Sequence, residues 1–161
     1  MAINEHEKFL ADKVKGDIGE EYILNKFTGR HLEAYPSHSV GFDYRYSDVA
    51  VYYKGYFLTL IEVKSEQHQW EETGNHYLEY SYKGRKSGIS STEASWWAIL
   101  LFKKDNSVIE LIIPVDKLKN LARNYIGTKR DVAGGDNKHT RGVLIPIDEL
   151  INLHNLYGYK R

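Results

Sequence analysis

"DVAVYYKGYFLTLIEVKSEQ", residues 48–67, decides how the chain folds. β-branched and aromatic residues fill both halves, and Lys54-Gly55 between them is a two-residue turn signal, so the stretch predicts a β-hairpin. Residues two apart on a strand share a face. Glu62 and Lys64 therefore project together, while Ile61 and Val63 face the opposite, core side. A surface ion pair is the plain reading of Glu62 and Lys64. It loses ground because both flanks are strongly apolar, and charges on so central a strand need a partner or a purpose.

An acidic neighbour would turn the pair into a site for a hard divalent cation, which prefers several oxygen ligands. The other arm of the hairpin offers two, Asp48 and Asp43. A plain two-residue turn places position 47 across from Glu62, whereas a three-residue loop ending at Gly55 brings Asp48 onto the Glu62 face, and a one-residue slip reverses the outcome. Asp43 lies roughly 13 Å further along at ~3.3 Å per residue, unless a bulge intervenes. Asp48 is favoured, with Asp43 as the alternative.

Working outward, "DIGEEYILNKF" (17–27) has the stripe Ile18, Tyr22, Ile23, Phe27 of a helix. Residues 5–14 form another helical stretch, and Gly16 weakens continuity between the two. Asp17 and Glu20 also fit a capping box at the start of the second helix, a structural role that competes with a catalytic one for Glu20. "GRHLEAYPSHSVGF" (29–42) reads as a loop, "HYLEYSY" (76–82) as a third strand and "KGRKSG" (83–88) as a polar loop. Ser90, Ser91 or Thr92 would cap a helix beginning at "TEASWWAI", which runs on into a strand ending near Phe102. "NSVIELIIP" (106–114) is a strand, "VDKLKNLARNY" (115–125) a helix, "VAGGDNKHTRG" (132–142) a glycine-rich loop, and "VLIPIDELINLHNLY" (143–157) a short strand and terminal helix. The order predicts one α/β domain, residues 1–161, with a mixed sheet.

Composition limits the function. The 161 residues carry 22 basic and 22 acidic side chains and no cysteine. Thiolate metal sites and disulfides are excluded, and a cytosolic-type compartment is the easier reading. The N-terminus has no secretory h-region, and no run approaches the ~18 apolar residues of a membrane span. Neutrality removes a global electrostatic argument for nucleic acid, but "YKGRK" (82–86) and the stretch 127–141 are locally basic, which suffices for a phosphate backbone. The heavy aromatic load is read as core and sheet packing. The seven histidines are scattered without metal spacing and are assigned surface or loop roles. Asp136 is a further carboxylate whose spacing supports no role.

Taken together, Ser47-Asp48 followed by Glu62-Val63-Lys64 resembles the core signature of the PD-(D/E)xK nuclease superfamily, with Ser47 where proline is usual. "KGDIGEE" (15–21) is similar to the Lys-Gly-x-x-x-Glu form of Holliday-junction resolvases and puts Glu20 in the matching role. Gln67 or Gln69 matches a glutamine that follows the lysine in some branches. The stretch 73–97 resembles a block in small phage-encoded members. The resemblance implies a restriction-endonuclease-like core over about 15–113, a central mixed sheet flanked by helices, and an extension over 114–161. It implies a DNA endonuclease using Mg²⁺ or Mn²⁺, homodimeric, in the cytoplasm of a bacterial host if phage-encoded. Asp48, Glu62, the Val63 carbonyl and Glu20 would hold metal. Lys64 would serve the attacking water or the developing charge, and Lys83, Arg85 and Lys86 the flanking phosphates. The alternatives are a non-catalytic nucleic-acid-binding domain of the same fold, or a structure-specific or exonucleolytic nuclease.

Overall fold

The computed structural model describes residues 5–135 and 138–160, with the side chains of 5–12 left aside. Helix α1 (Glu5–Lys26) is continuous through Gly16, so the two expected helical stretches are one. Strands β2 (Val49–Tyr53) and β3 (Tyr56–Glu66) form the expected hairpin, closed by a two-residue turn in which Lys54 and Gly55 both have positive φ. The turn itself pairs Tyr53 with Tyr56, but a bulge between Val51 and Tyr52 on one arm and around Leu58 on the other moves the register by one, so that Val49 pairs with Ile61.

Strand β1 (Leu32–Pro36) pairs antiparallel with β2 where the sequence reads as a loop. Its proline falls at the strand end of a sheet edge, the place a sheet tolerates one. After β3 come the short helix α2 (Gln69–Thr73) and strands β4 (Asn75–Tyr82) and β5 (Arg85–Lys86). The helix expected from "TEASWWAI" is absent. A short 3₁₀ turn over 88–90 leads instead into strand β6 (Trp96–Phe102). The cap signals are spent elsewhere: Thr92 Oγ1 donates to the Tyr46 carbonyl and accepts the Ala94 N–H. "WWAILLF" is apolar on both sides because β6 is buried on both faces in the middle of the sheet, a pattern that periodicity does not separate from a helix.

Strand β7 (Val108–Pro114) and helix α3 (Val115–Arg123) follow as expected. The glycine-rich segment is a hairpin rather than a loop, β8 (Asp131–Gly134) with β9 (Thr140–Pro146), and α4 (Ile147–Tyr157) ends the fold. Gly134 and Gly142 lie directly against the Tyr77 ring, which fills the space side chains would take.

One sheet runs β1-β2-β3-β6-β7 and is mixed, with β3 and β6 parallel and its other pairs antiparallel; a second, antiparallel sheet runs β5-β4-β9-β8. Together with four α-helices among the described residues, this is an α/β architecture. The two faces of the mixed sheet carry separate cores. Val49, Ile61, Val63, Ala98, Leu100 and Ile112 pack against Ile23 of α1 and Phe27 just past its end. Trp97, Ile99, Leu101 and Ile113 pack against Leu78, Val143 and Ile145 of the second sheet and Leu118 and Leu150 of α3 and α4.

Helix α1 docks on β3 through Gly19, where an added Cβ would lie 2.0 Å from Ser65 Oγ; at Gly16 it would meet nothing within 4 Å. The same substitution should therefore have opposite signs three residues apart. Gly16→Leu should stabilise by ~0.5–1 kcal/mol through helix propensity. Gly19→Leu should destabilise by ~1–3 kcal/mol through overpacking, as measured by urea unfolding.

Candidate metal and phosphate site

The bulge has a direct consequence for the site. With Val49 opposite Ile61, the same register carried one step further sets Asp48 opposite Glu62. The pairing expected from a three-residue loop is thus reached by a two-residue turn plus a bulge. The main chain of Asp48 is fixed on both sides: its N–H donates to the Ile61 carbonyl (3.1 Å), and its carbonyl accepts the Ser37 N–H (2.8 Å). Its Oδ2 accepts the Val63 N–H at 2.7 Å, so the carboxylate crosses to the strand that carries Glu62 and Lys64. Lys64 Nζ donates to Glu62 Oε1 at 2.6 Å and lies 5.5 Å from the centre of the Trp97 ring.

Asp43 does not join them. Its carboxylate is gripped by Arg45 through Nε and Nη2, and that guanidinium holds its pKa down to about 2. Glu20 does come close. Because α1 is continuous, Asp17 is an interior helix residue, and the capping-box role does not hold. Glu20, next to the Gly19 contact, is instead pushed up to about 7 by burial first, then by the nearby Asp48, Asp17 and Glu62 charges, with Lys64 pulling the other way.

Burial likewise raises the pKa of both Asp48 and Glu62, against the pull of Lys64. Burial alone would lower the Lys64 ammonium, but Glu62 and Asp48 more than offset it and hold the pKa above its ordinary value. Three carboxylates thus face one ammonium in a partly desolvated site. That surplus of negative charge is the electrostatic setting in which a divalent cation is favoured. Among the described residues no group of three or more His, Asp and Glu side chains is gathered tightly enough to hold a metal. The donor set on offer is smaller: Asp48, Glu62 and a main-chain carbonyl of β3, with Glu20 within electrostatic reach.

Glu62 and Lys64 open onto a cavity of about 420 Å³ between the two sheets, walled also by Glu66, His76, Glu79 and Trp97. His76 corrects its expected surface or loop role: it is 2% exposed on β4, and its Nδ1 lies 2.7 Å from Glu66 Oε1, linking the two sheets. Among the described residues His76 Nε2 and Trp97 Nε1 are buried without a hydrogen-bond partner. Nothing in the sequence points to this pair, because Glu66 and His76 meet only through the packing of the second sheet. Gln67 sits just after β3, half-buried, and Gln69 opens α2. Lys83, Arg85 and Lys86 are exposed on the β4–β5 hairpin, none of them walling this cavity. Asp136 lies outside the described residues.

No helix among the described residues is long and apolar enough to cross a membrane. No protein-family model, curated protein or solved structure matches this chain.

The raised Glu20 pKa fixes a sign. In the folded state Glu20 binds its proton up to about pH 7, and in the unfolded state only up to its ordinary value near 4.5. The stability it contributes is present below ~4.5 and is lost as pH rises through ~7. Glu20→Gln, assayed in EDTA, should be more stable than wild type at pH 8 by about 1 kcal/mol, allowing for solvent screening, and indistinguishable from it at pH 4. Thermal melts at the two pH values check this.

Proposed function

We propose that the chain is a metal-dependent nuclease of the PD-(D/E)xK type, with a restriction-endonuclease-like core, that hydrolyses phosphodiester bonds of DNA. The observation that carries this reading is the convergence of Asp48, Glu62 and Lys64 on one face of a central strand, with Asp48 bonded to the Val63 main chain. Glu20 reaches the same charges from α1. The five-stranded sheet is mixed, as the resemblance implies, and the connection between its parallel strands β3 and β6 holds the five-residue α2 and two strands of the second sheet.

In this reading Asp48, Glu62 and the Val63 carbonyl hold Mg²⁺ or Mn²⁺, and Glu20 adds a third carboxylate. The cation, when bound, supplies Lewis acidity at the phosphate and lowers the pKa of water. The rest of the chemistry belongs to the chain. Asp48 Oδ2 is spent on the Val63 N–H, which orients the carboxylate and leaves Oδ1 to ligate. Lys64 stays protonated between Glu62 and Asp48, so its role is to donate to the phosphate or orient the water and to offset growing negative charge, rather than to accept a proton. The Trp97 ring beneath Lys64 Nζ limits where the ammonium can go. A second copy of the chain would provide the second cut of a duplex, and the cytoplasm is the compartment that fits.

Plasmid DNA incubated with the chain should be nicked or cut in Mg²⁺ or Mn²⁺ and left intact in EDTA. Glu62→Ala and Lys64→Ala should each lower the rate at least ~100-fold, a size typical of losing a catalytic electrostatic group. Saturating Mn²⁺ should raise the melting temperature of wild type and of Lys64→Ala by several degrees, but not that of Glu62→Ala. Cleavage by Glu62→Ala at the wild-type rate would overturn the site.

A further inference from the structure

The segment 87–92 separates two unlike concavities. Gly88 and Thr92 wall the cavity that holds Glu62 and Lys64, whereas Ile89 and Ser90 wall a groove of about 280 Å³ on the other side. The divider is clamped to β4: Ser87 Oγ donates to Glu79 Oε1 (2.6 Å) and Ser87 N–H to the Tyr80 carbonyl (3.2 Å). The groove's floor is apolar, from the buried Ile89 and Ala122, and its rim carries Lys86 from β5 with Lys119 and Arg123 from α3. Among the described residues no acidic side chain lines it.

Among the described residues some basic side chains elsewhere are ion-paired and others, Lys54, Lys83, Arg85 and Lys129 among them, are not; this rim differs in gathering three around one groove. Lys26, Arg45, Lys64, Lys104, Lys117 and Arg141 are each matched to a carboxylate. Among the described residues Lys86 and Lys119 have no ion-pair partner, and Arg123 bonds only the neutral Asn120. Lys119 and Arg123 stand four apart on one helix face, a like-charge spacing that destabilises a helix. The helix dipole favours Arg123 in the last turn of α3 but not Lys119 in mid-helix or Lys86 on a strand. An unmatched cationic rim over an apolar floor is complementary to a chain of phosphates joined by sugars.

We infer that the groove between β5 and α3 binds the phosphate backbone of a DNA strand, one segment away from the phosphate at Lys64. Lys86, Lys119 and Arg123 make the contacts, and the 87–92 segment is the ridge the strand crosses. Two of these residues, Lys119 and Arg123, lie outside the basic run of residues 82–86. The inference rests on the proposed function for the identity of the strand, but not on hydrolysis. Contacts of this kind fix position and carry no sequence preference.

The test is fluorescence anisotropy of labelled single- and double-stranded 20-mers in EDTA across a KCl series, with Lys119→Gln/Arg123→Gln, Lys86→Gln and a control, Lys160→Gln. Circular dichroism melts check that each variant folds. The double variant should bind at least ~10-fold more weakly than wild type, and its salt slope should flatten by roughly 1.4–1.8, the loss of two phosphate contacts. Lys86→Gln should flatten it by about half as much, and the control by less than either. A folded double variant with wild-type affinity and slope overturns the groove, whether or not the protein cleaves DNA. Loss of affinity in the variants, with no metal-dependent cleavage by wild type, supports the groove and overturns the hydrolytic reading instead. Wild type that ignores DNA at 50 mM KCl, or prefers polyglutamate or phosphatidylglycerol vesicles to it, overturns the inference.

Discussion

The arrangement depends on one extra residue in one strand. The β2–β3 hairpin closes in a register that would place Ser47 across from Glu62, and the bulge around Leu58 corrects it to Asp48. Alternation along a strand is strict, so the choice is between a hydroxyl and a carboxylate on the functional face. The other face does not suffer for it: Val49 and Val51 still meet Ile61 and the α1 side chains. The bulge thus aligns the core and the charges at once.

From that alignment the electrostatics follow. A central strand buried on both faces is a costly place for carboxylates, and the cost shows as pKa values raised by desolvation at Glu20, Asp48 and Glu62. Lys64 offsets part of it and is itself held charged by the same groups. The close docking at Gly19 adds Glu20 to a set that the hairpin alone would leave at two acids. Residues 48, 62 and 64 come from local pairing; residue 20 comes from helix-to-sheet packing.

This division explains what could be read in the sequence. The hairpin, β7, α3 and α4 were legible because turn chemistry and periodicity act over a few residues. Trp96–Phe102 was misread as partly helical because an apolar run without alternation fits a buried strand and a buried helix equally. Leu32–Pro36 was missed because Glu33 and Pro36 suit a loop, and only pairing with β2 makes it a strand. At the site, Glu62, Lys64 and the choice between Asp48 and Asp43 were legible. The bulge was not, since nothing around Leu58 marks it. The pairing of Asp43 with Arg45 and of Glu66 with His76 required side-chain geometry. The grouping of Lys86 with Lys119 and Arg123 required the fold, because residues 87–114 separate β5 from α3.

The link between Glu66 and His76 carries a mechanical consequence. The cavity has one wall from each sheet, and a contact between the part-exposed Glu66 carboxylate and the buried His76 imidazole spans them. Parting the walls would break that contact and take apart the core in which Trp97 and Ile99 pack against Leu78 and Ile145, so the cleft resists opening in the way a mobile loop does not. Its shape is then a template rather than a clamp. A polymer that reaches Lys64 must supply the bending or unstacking itself, and stiff and pliant stretches of the same chemistry are told apart by the work of deforming them.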